Sequence, residues 1–213
     1  MWLALGSCFI SIFKTVSKLG IYLQNAVVTS HSMRMIILLL LVLCSCSGSM
    51  YNSIQRLPVV RSSKSLPDSL STTILVFLDI DCPISQYVIK PLNAIQTANK
   101  HQVQIVGVIP GTYYSAREMT DFVMDYDIEF PVLNDEKMTL VKKLNATITP
   151  EVFLVNETGT IVYKGAVDDK FAKLGKSKPL VGTSYLNAAL SQHLQGLVVD
   201  VPATEAIGCI IEK

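Results

Sequence analysis

Little in this chain announces a cofactor. Three histidines and five cysteines are scattered through 213 residues, and none of them falls into a metal-ligand spacing, so neither a metal nor a cofactor is expected. Charge is sparse too. Only 16% of the residues are charged and the net charge is +1, which leaves no basic footprint for nucleic acid. Lys170, Lys173, Lys176 and Lys178 read as a solvated loop. The unbroken aliphatic run at 36–43 is far shorter than the about 20 residues that a spanning helix needs.

What that run does resemble is a secretory signal. Arg34 precedes it and Cys44-Ser45-Cys46-Ser47-Gly48-Ser49 follows, giving a basic region, an apolar region and small residues at the exit. Leu43-Cys44-Ser45-Cys46 further resembles a lipobox, with Leu43 at −3, Ser45 at −1 and Cys46 as the lipidated residue. On this reading the chain is a bacterial lipoprotein, anchored to a membrane of the cell envelope and facing the periplasm. A signal normally opens a chain, and Met33 and Met35 stand just before this one. The start is therefore expected downstream of Met1, with a membrane segment in residues 1–32 as the alternative. The organisation expected is a leader at 1–46, a Ser-rich tether at 47–70 and one domain at 71–213 whose last part, 197–213, is an arm.

Within the domain, residues 73–78 form a continuous β-branched and aromatic run, the pattern of a strand buried on both faces. Ile84, Val88, Leu92 and Ile95 then recur at helical spacing, with Pro91 inside the helix. A second buried strand is predicted at 103–109, and Ser115-Ala116-Arg117-Glu118 is a capping box that opens a second helix. Residues 130–133 read as a short strand, followed by a helix through Leu144 capped by Asn134 or Asp135. Residues 151–155 and 160–164 read as a hairpin around Asn156-Glu157-Thr158-Gly159, and 184–195 as a final helix ended by Gly196. Alternation of strand and helix, closed by a hairpin and a helix, predicts a three-layer α/β/α domain with a mixed central sheet.

Cys82 holds the most telling position. It joins the end of the first strand to the first turn of the helix, where unpaired N–H groups and the helix dipole favour a thiolate. Pro83 suits the first helical position because its missing N–H costs nothing there. Asp79 and Asp81 oppose the thiolate by like charge. Cys209 is the one other cysteine of the expected domain, and Gly208 before it allows a close approach or a tight turn.

Asp81-Cys82-Pro83-Ile84-Ser85, the proline-containing first helix, and Thr149-Pro150 before the hairpin together resemble the thioredoxin-like superfamily over residues 72–195. The extra helix and strand between the second strand and Thr149 resemble the insertion of its redoxin branch, the alkyl hydroperoxide reductase/thiol-specific antioxidant proteins and envelope thiol–disulfide oxidoreductases. The resemblance implies that Cys82 is the nucleophile, that the Thr149–Pro150 bond is cis, and that Pro83, Ser85, Thr149 and Pro150 border the substrate. Two departures matter. Ser85 stands where a dithiol oxidoreductase has its second cysteine, and Asp79 stands where a peroxiredoxin has threonine.

The expectation is thus an exported thiol–disulfide oxidoreductase that acts on a protein disulfide or a small thiol, with Cys82 resolved by Cys209 or by an external thiol. The alternatives are a one-cysteine antioxidant peroxidase and a non-catalytic binding module on the same fold.

Overall fold

The structure is a computed structural model that describes residues 48–60, 66 and 72–212. Its first half runs α1 (Gly48–Gln55), β1 (Thr72–Phe77), α2 (Pro83–Ala98), β2 (Val103–Pro110), α3 (Ala116–Asp125), β3 (Val132–Asp135) and α4 (Thr139–Leu144). The second half runs β4 (Ile148–Thr149), β5 (Glu151–Val155), β6 (Ile161–Gly165), β7 (Phe171–Lys173), β8 (Lys176–Ser177), α5 (Tyr185–Leu194) and β9 (Cys209–Ile210).

Every residue of β1 is buried because all four of its sides are taken. β2 pairs with it in parallel and β5 antiparallel, and the sheet order is β3-β2-β1-β5-β6. Successive side chains of a strand point to opposite faces. Accordingly Ile74 and Val76 pack with Val88 and Leu92 of α2, Phe122 of α3 and Leu186 of α5. Leu75 and Phe77 pack on the other face with Leu140 and Val141 of α4 and Met50 and Ile54 of α1. The result is the three-layer mixed α/β domain read from the sequence.

α2 shows the same logic. Ile84, Val88, Leu92 and Ile95 are all buried on one face, and the helix continues through Pro91. Removing each such side chain from water stabilises the fold by about 1.5–3 kcal/mol. The capping box of α3 closes as predicted: Ser115 Oγ accepts the Glu118 N–H, and Glu118 Oε2 accepts the Ser115 N–H at 2.8 Å.

Three segments depart from expectation. Part of the supposed tether is folded onto the domain: α1 buries Met50 and Ile54, the Val60 N–H bonds the Val132 carbonyl at 2.8 Å, and Val59 bridges Leu133. A Ser-rich stretch with only a few apolar residues hides this, since two turns with two anchors have no readable period. The fourth helix starts later than predicted, at Thr139, because Asn134 and Asp135 complete β3. Asp135 still caps it from a distance, and its buried carboxylate accepts the N–H groups of Thr139, Leu140 and Val141 at 2.7, 2.8 and 3.1 Å. The small β7–β8 hairpin, paired through Phe171 and Ser177, was not foreseen at all.

Cys46 and the leader lie outside the described residues. Among the described residues no helix is long and apolar enough to cross a membrane.

Because three donors, two of them buried, converge on one buried side chain, Asp135→Ala should lower stability by about 2–4 kcal/mol in urea unfolding. A loss below about 0.5 kcal/mol would mean that packing alone sets the start of α4.

Candidate active site

β1 and β2 are parallel, so the loops that follow them open at the same end of the sheet. The loop after β1 is a tight device. The Cys82 N–H returns to the Asp79 carbonyl at 3.2 Å, the Gln86 side chain ties the Ile80 carbonyl at 2.8 Å, and the Gln86 N–H closes the first helical bond to Cys82 O at 3.0 Å. Cys82 is therefore the N-cap of α2 with Pro83 after it, but its side chain makes no cap hydrogen bond. The thiol turns instead to the Thr149 carbonyl, 3.4 Å from Sγ, and only 1% of Cys82 is exposed.

Thr149 precedes a cis peptide bond to Pro150, as the resemblance implied. Its other neighbour is the end of the chain. After α5 the arm crosses the edge strand β6, where the Lys164 N–H bonds Pro202 O and the Thr204 N–H bonds Lys164 O, both at 3.0 Å. The Thr204 hydroxyl is clamped between Tyr163 Oη at 2.6 Å and the Ala166 N–H at 3.0 Å. β9 then pairs antiparallel with β4, setting Thr149 opposite Cys209 and Ile148 opposite Ile210. This register sets Cys209 against the residue whose carbonyl accepts the Cys82 thiol, and so brings the two cysteines to one place. Both thiols are free.

Gly208 makes the approach possible. A Cβ there would collide with the Thr149 carbonyl, so any side chain would push β9 off β4. Burial, the hydrogen bond to Cys82 and the charges of Cys82 and Asp79 together push the Cys209 thiol up from 9.0 to about 12.

Ser85 is fully buried, and its Oγ accepts the Asp79 N–H at 3.1 Å, which braces the loop before the thiol. Pro83 is exposed beside the buried Cys82, and Pro150 is buried.

The acids of the loop are also tied down. Asp79 Oδ1 accepts the Asp81 N–H at 2.9 Å and the Tyr114 hydroxyl at 2.7 Å, while Asp81 Oδ2 lies 3.2 Å from the same hydroxyl. Burial and the two carboxylates raise the Tyr114 phenol well above its ordinary value, so it remains a donor. Sequence reasoning missed Tyr114. The available signal was an aromatic pair, Tyr113-Tyr114, in the loop that shares an end of the sheet with Cys82.

Hollows flank the Thr149–Pro150 turn on both sides. One, of about 290 Å³, lies against Pro150, Val88, Val167 and Ile207; the other, of about 390 Å³, lies against Thr149, Asp79, Tyr114 and Ile210. Two residues that line the first, Asp168 and Phe171, are held by Tyr87, which donates to Asp168 at 3.1 Å and stands edge-on to Phe171. Asp169 is held by Lys178 at 2.6 Å and by the N–H groups of Gly182 and Thr183. The adjacent acids thus order a loop, and the described residues contain no cluster able to hold a metal ion.

Among solved structures the chain is similar to an uncharacterised conserved protein from Geobacillus kaustophilus, with 24% identity and a TM-score of 0.59 over 67% of this chain and 77% of that one. It is also similar to a hypothetical protein from Sinorhizobium meliloti, with 24% identity and a TM-score of 0.57 over 66% of this chain and 78% of that one. At such identity the likeness is one of fold. No curated protein matches the chain. A model of the AhpC/TSA family matches residues 60–164, a span that runs from the Val60 anchor through Cys82 and the cis-proline turn to β6. Through that span the chain is similar to the AhpC/TSA family, and its fold is the thioredoxin-like one.

Proposed function

We propose that the protein is a thiol–disulfide oxidoreductase in which Cys82 is the nucleophile and Cys209 the resolving thiol. The observation that carries this reading is the β4–β9 register, which pairs Cys209 with Thr149, the residue whose carbonyl accepts the Cys82 thiol at 3.4 Å. As a thiolate, Cys82 Sγ attacks one sulfur of a substrate disulfide, and the other sulfur leaves as a thiolate. Cys209 then loses its proton to the departing sulfur and attacks Cys82 Sγ. The Cys82–Cys209 bond forms, the mixed disulfide breaks, and the substrate has gained the two electrons that the cysteine pair has lost. An external thiol, from a protein or a small molecule, restores the pair. Relative stabilities of the oxidised and reduced forms set the direction of flow.

The family match favours a second reading, peroxide reduction, in which the oxygen of a peroxide takes the place of the substrate sulfur and Cys82 passes through a sulfenic acid. Asp79 weighs against it. At that position a carboxylate already engaged by Tyr114 offers no proton to a leaving oxygen.

The leader extends the proposal to place: an envelope lipoprotein anchored through Cys46. In a bacterial host, a fatty-acid analogue should label the chain and fail to label Cys46→Ser. Equal labelling of both would remove the anchor from this reading.

Gentle oxidation followed by non-reducing peptide mapping should yield a Cys82–Cys209 linked peptide. Cys209→Ser should instead accumulate mixed disulfides at Cys82, and Cys82→Ser should lose turnover with both disulfide and peroxide. If Cys82→Ser keeps its turnover, the fold is a binding module and the catalytic reading fails. Faster turnover with hydrogen peroxide than with a peptide disulfide would select the second reading.

The position of Cys209 also fixes a pH dependence. Its raised pKa means that alkylation of Cys209 by iodoacetamide in the reduced protein should stay slow through about pH 9, where an ordinary thiol is largely ionised. Cys82→Ser removes a hydrogen bond and a charge while the burial remains, so the Cys209 profile should move to lower pH. An unmoved profile would assign the whole shift to burial.

A further inference from the structure

The edge of β4 has one occupant. In the two-stranded sheet it forms with β9, the main chain of Cys209–Ile210 takes the edge of Ile148–Thr149, and the same Thr149 residue accepts the Cys82 thiol. Cys82 is 1% exposed beneath this arrangement. Any cysteine of another polypeptide that meets Cys82 Sγ must therefore arrive where Cys209 now lies, and its backbone must take the place of β9.

We infer that residues 208–211 are an internal stand-in for the substrate: β9 peels off to admit an extended, cysteine-bearing polypeptide onto β4, and its return resolves the mixed disulfide. This rests on the thiol–disulfide reading and names its substrate class. The strand is built to open. At one end Thr204 is clamped by Tyr163 and Ala166, and at the other Ile211 is buried and its N–H bonds the Thr147 carbonyl at 2.9 Å. Between them, among the described residues, no main-chain hydrogen bond ties 205–207 to the domain. β9 itself is two residues long and Ile210 is 77% exposed, so its release has to break the β4 pairing, the Thr149 hydroxyl bond to Cys209 and the seat of Ile211, and no larger sheet.

The stand-in also describes what it stands for. Gly208 lies against the Thr149 carbonyl with no room for a Cβ, so the residue before the incoming cysteine has to be glycine. The residue after it, at the position of exposed Ile210, is unrestricted. The electron count is that of the proposed cycle: with β9 displaced, Cys82 forms the mixed disulfide and expels the first substrate thiolate. The returning Cys209 expels the second, gives it a proton, and closes the internal disulfide.

The test uses the full chain, read at the Cys82 peptide by mass spectrometry. In a Cys209→Ser background, adding Gly208→Val should speed alkylation of Cys82 by about tenfold or more, as expected when a local cover is opened. In the reduced, unsubstituted protein the amides of 209–211 should exchange with deuterium well ahead of those of β1. That second measurement decides alone if the double variant fails to fold. Peptides copying residues 205–212, activated as mixed disulfides at their cysteine, should couple to Cys82 of Cys209→Ser about tenfold faster than copies with valine in place of the glycine. Equal alkylation rates, equal coupling by the two peptides, or exchange of 209–211 only together with β1 would each overturn the inference. Faster alkylation with no coupling by either peptide would support the cover and sink the thiol–disulfide reading instead.

Discussion

The main chain of Thr149 organises this site. Its carbonyl receives the Cys82 thiol, its residue pairs with Cys209, and its hydroxyl donates to the Cys209 carbonyl at 3.3 Å. Two cysteines separated by most of the domain's sequence are thus referred to one residue. The turn is fixed from behind as well: Glu151, the first residue of β5, is buried and its carboxylate accepts the Thr147 N–H at 3.0 Å. β5 in turn pairs with β1, the strand that delivers Cys82. Sheet register, cis-proline turn and thiol placement are therefore one constraint, and a shift in any of them would part the two cysteines.

Partial burial beside Cys82 and Asp79 makes the Cys209 thiol give up its proton reluctantly. Cys82 has what Cys209 lacks, the first turn of a ten-residue-plus helix with its unpaired N–H groups. On the proposed reading the two thiols take different roles through backbone setting, not residue type. Ser85, Gln86 and Tyr114 serve the same end by holding the loop that carries Cys82 and its two acids.

The parts of this architecture that could be read from the sequence are those with a period or a local signature. β1 and β2 are continuous apolar runs because both sheet faces are covered, and α2 shows its buried face every third or fourth residue. The Ser115 box and the Thr149–Pro150 pair carry their geometry in a few adjacent residues. What could not be read depends on partners distant along the chain. α1 is held by two side chains inserted against α4, Asp135 caps a helix from within a strand, and Ser85 has a main-chain amide six residues back as its partner. The pairing of Cys209 with Cys82 belongs to the same group, since it needs the arm to follow β6 and then cross to β4.

On the proposed reading, that route is how an arm would do what a Cys-x-x-Cys pair does elsewhere. A second thiol placed one helical turn after the first is always present, whatever else approaches. A second thiol on a strand that shares an edge with the incoming chain can be present only when that chain has gone. Clamping Thr204 limits how far the strand strays, so its return is intramolecular and does not depend on the concentration of another molecule. Gly208 contributes through one missing Cβ: it lets β9 close on the Thr149 carbonyl and so lets Cys209 approach Cys82. Separating the two thiols onto different elements exchanges permanent proximity for alternation, and the short β4 edge is where that alternation takes place.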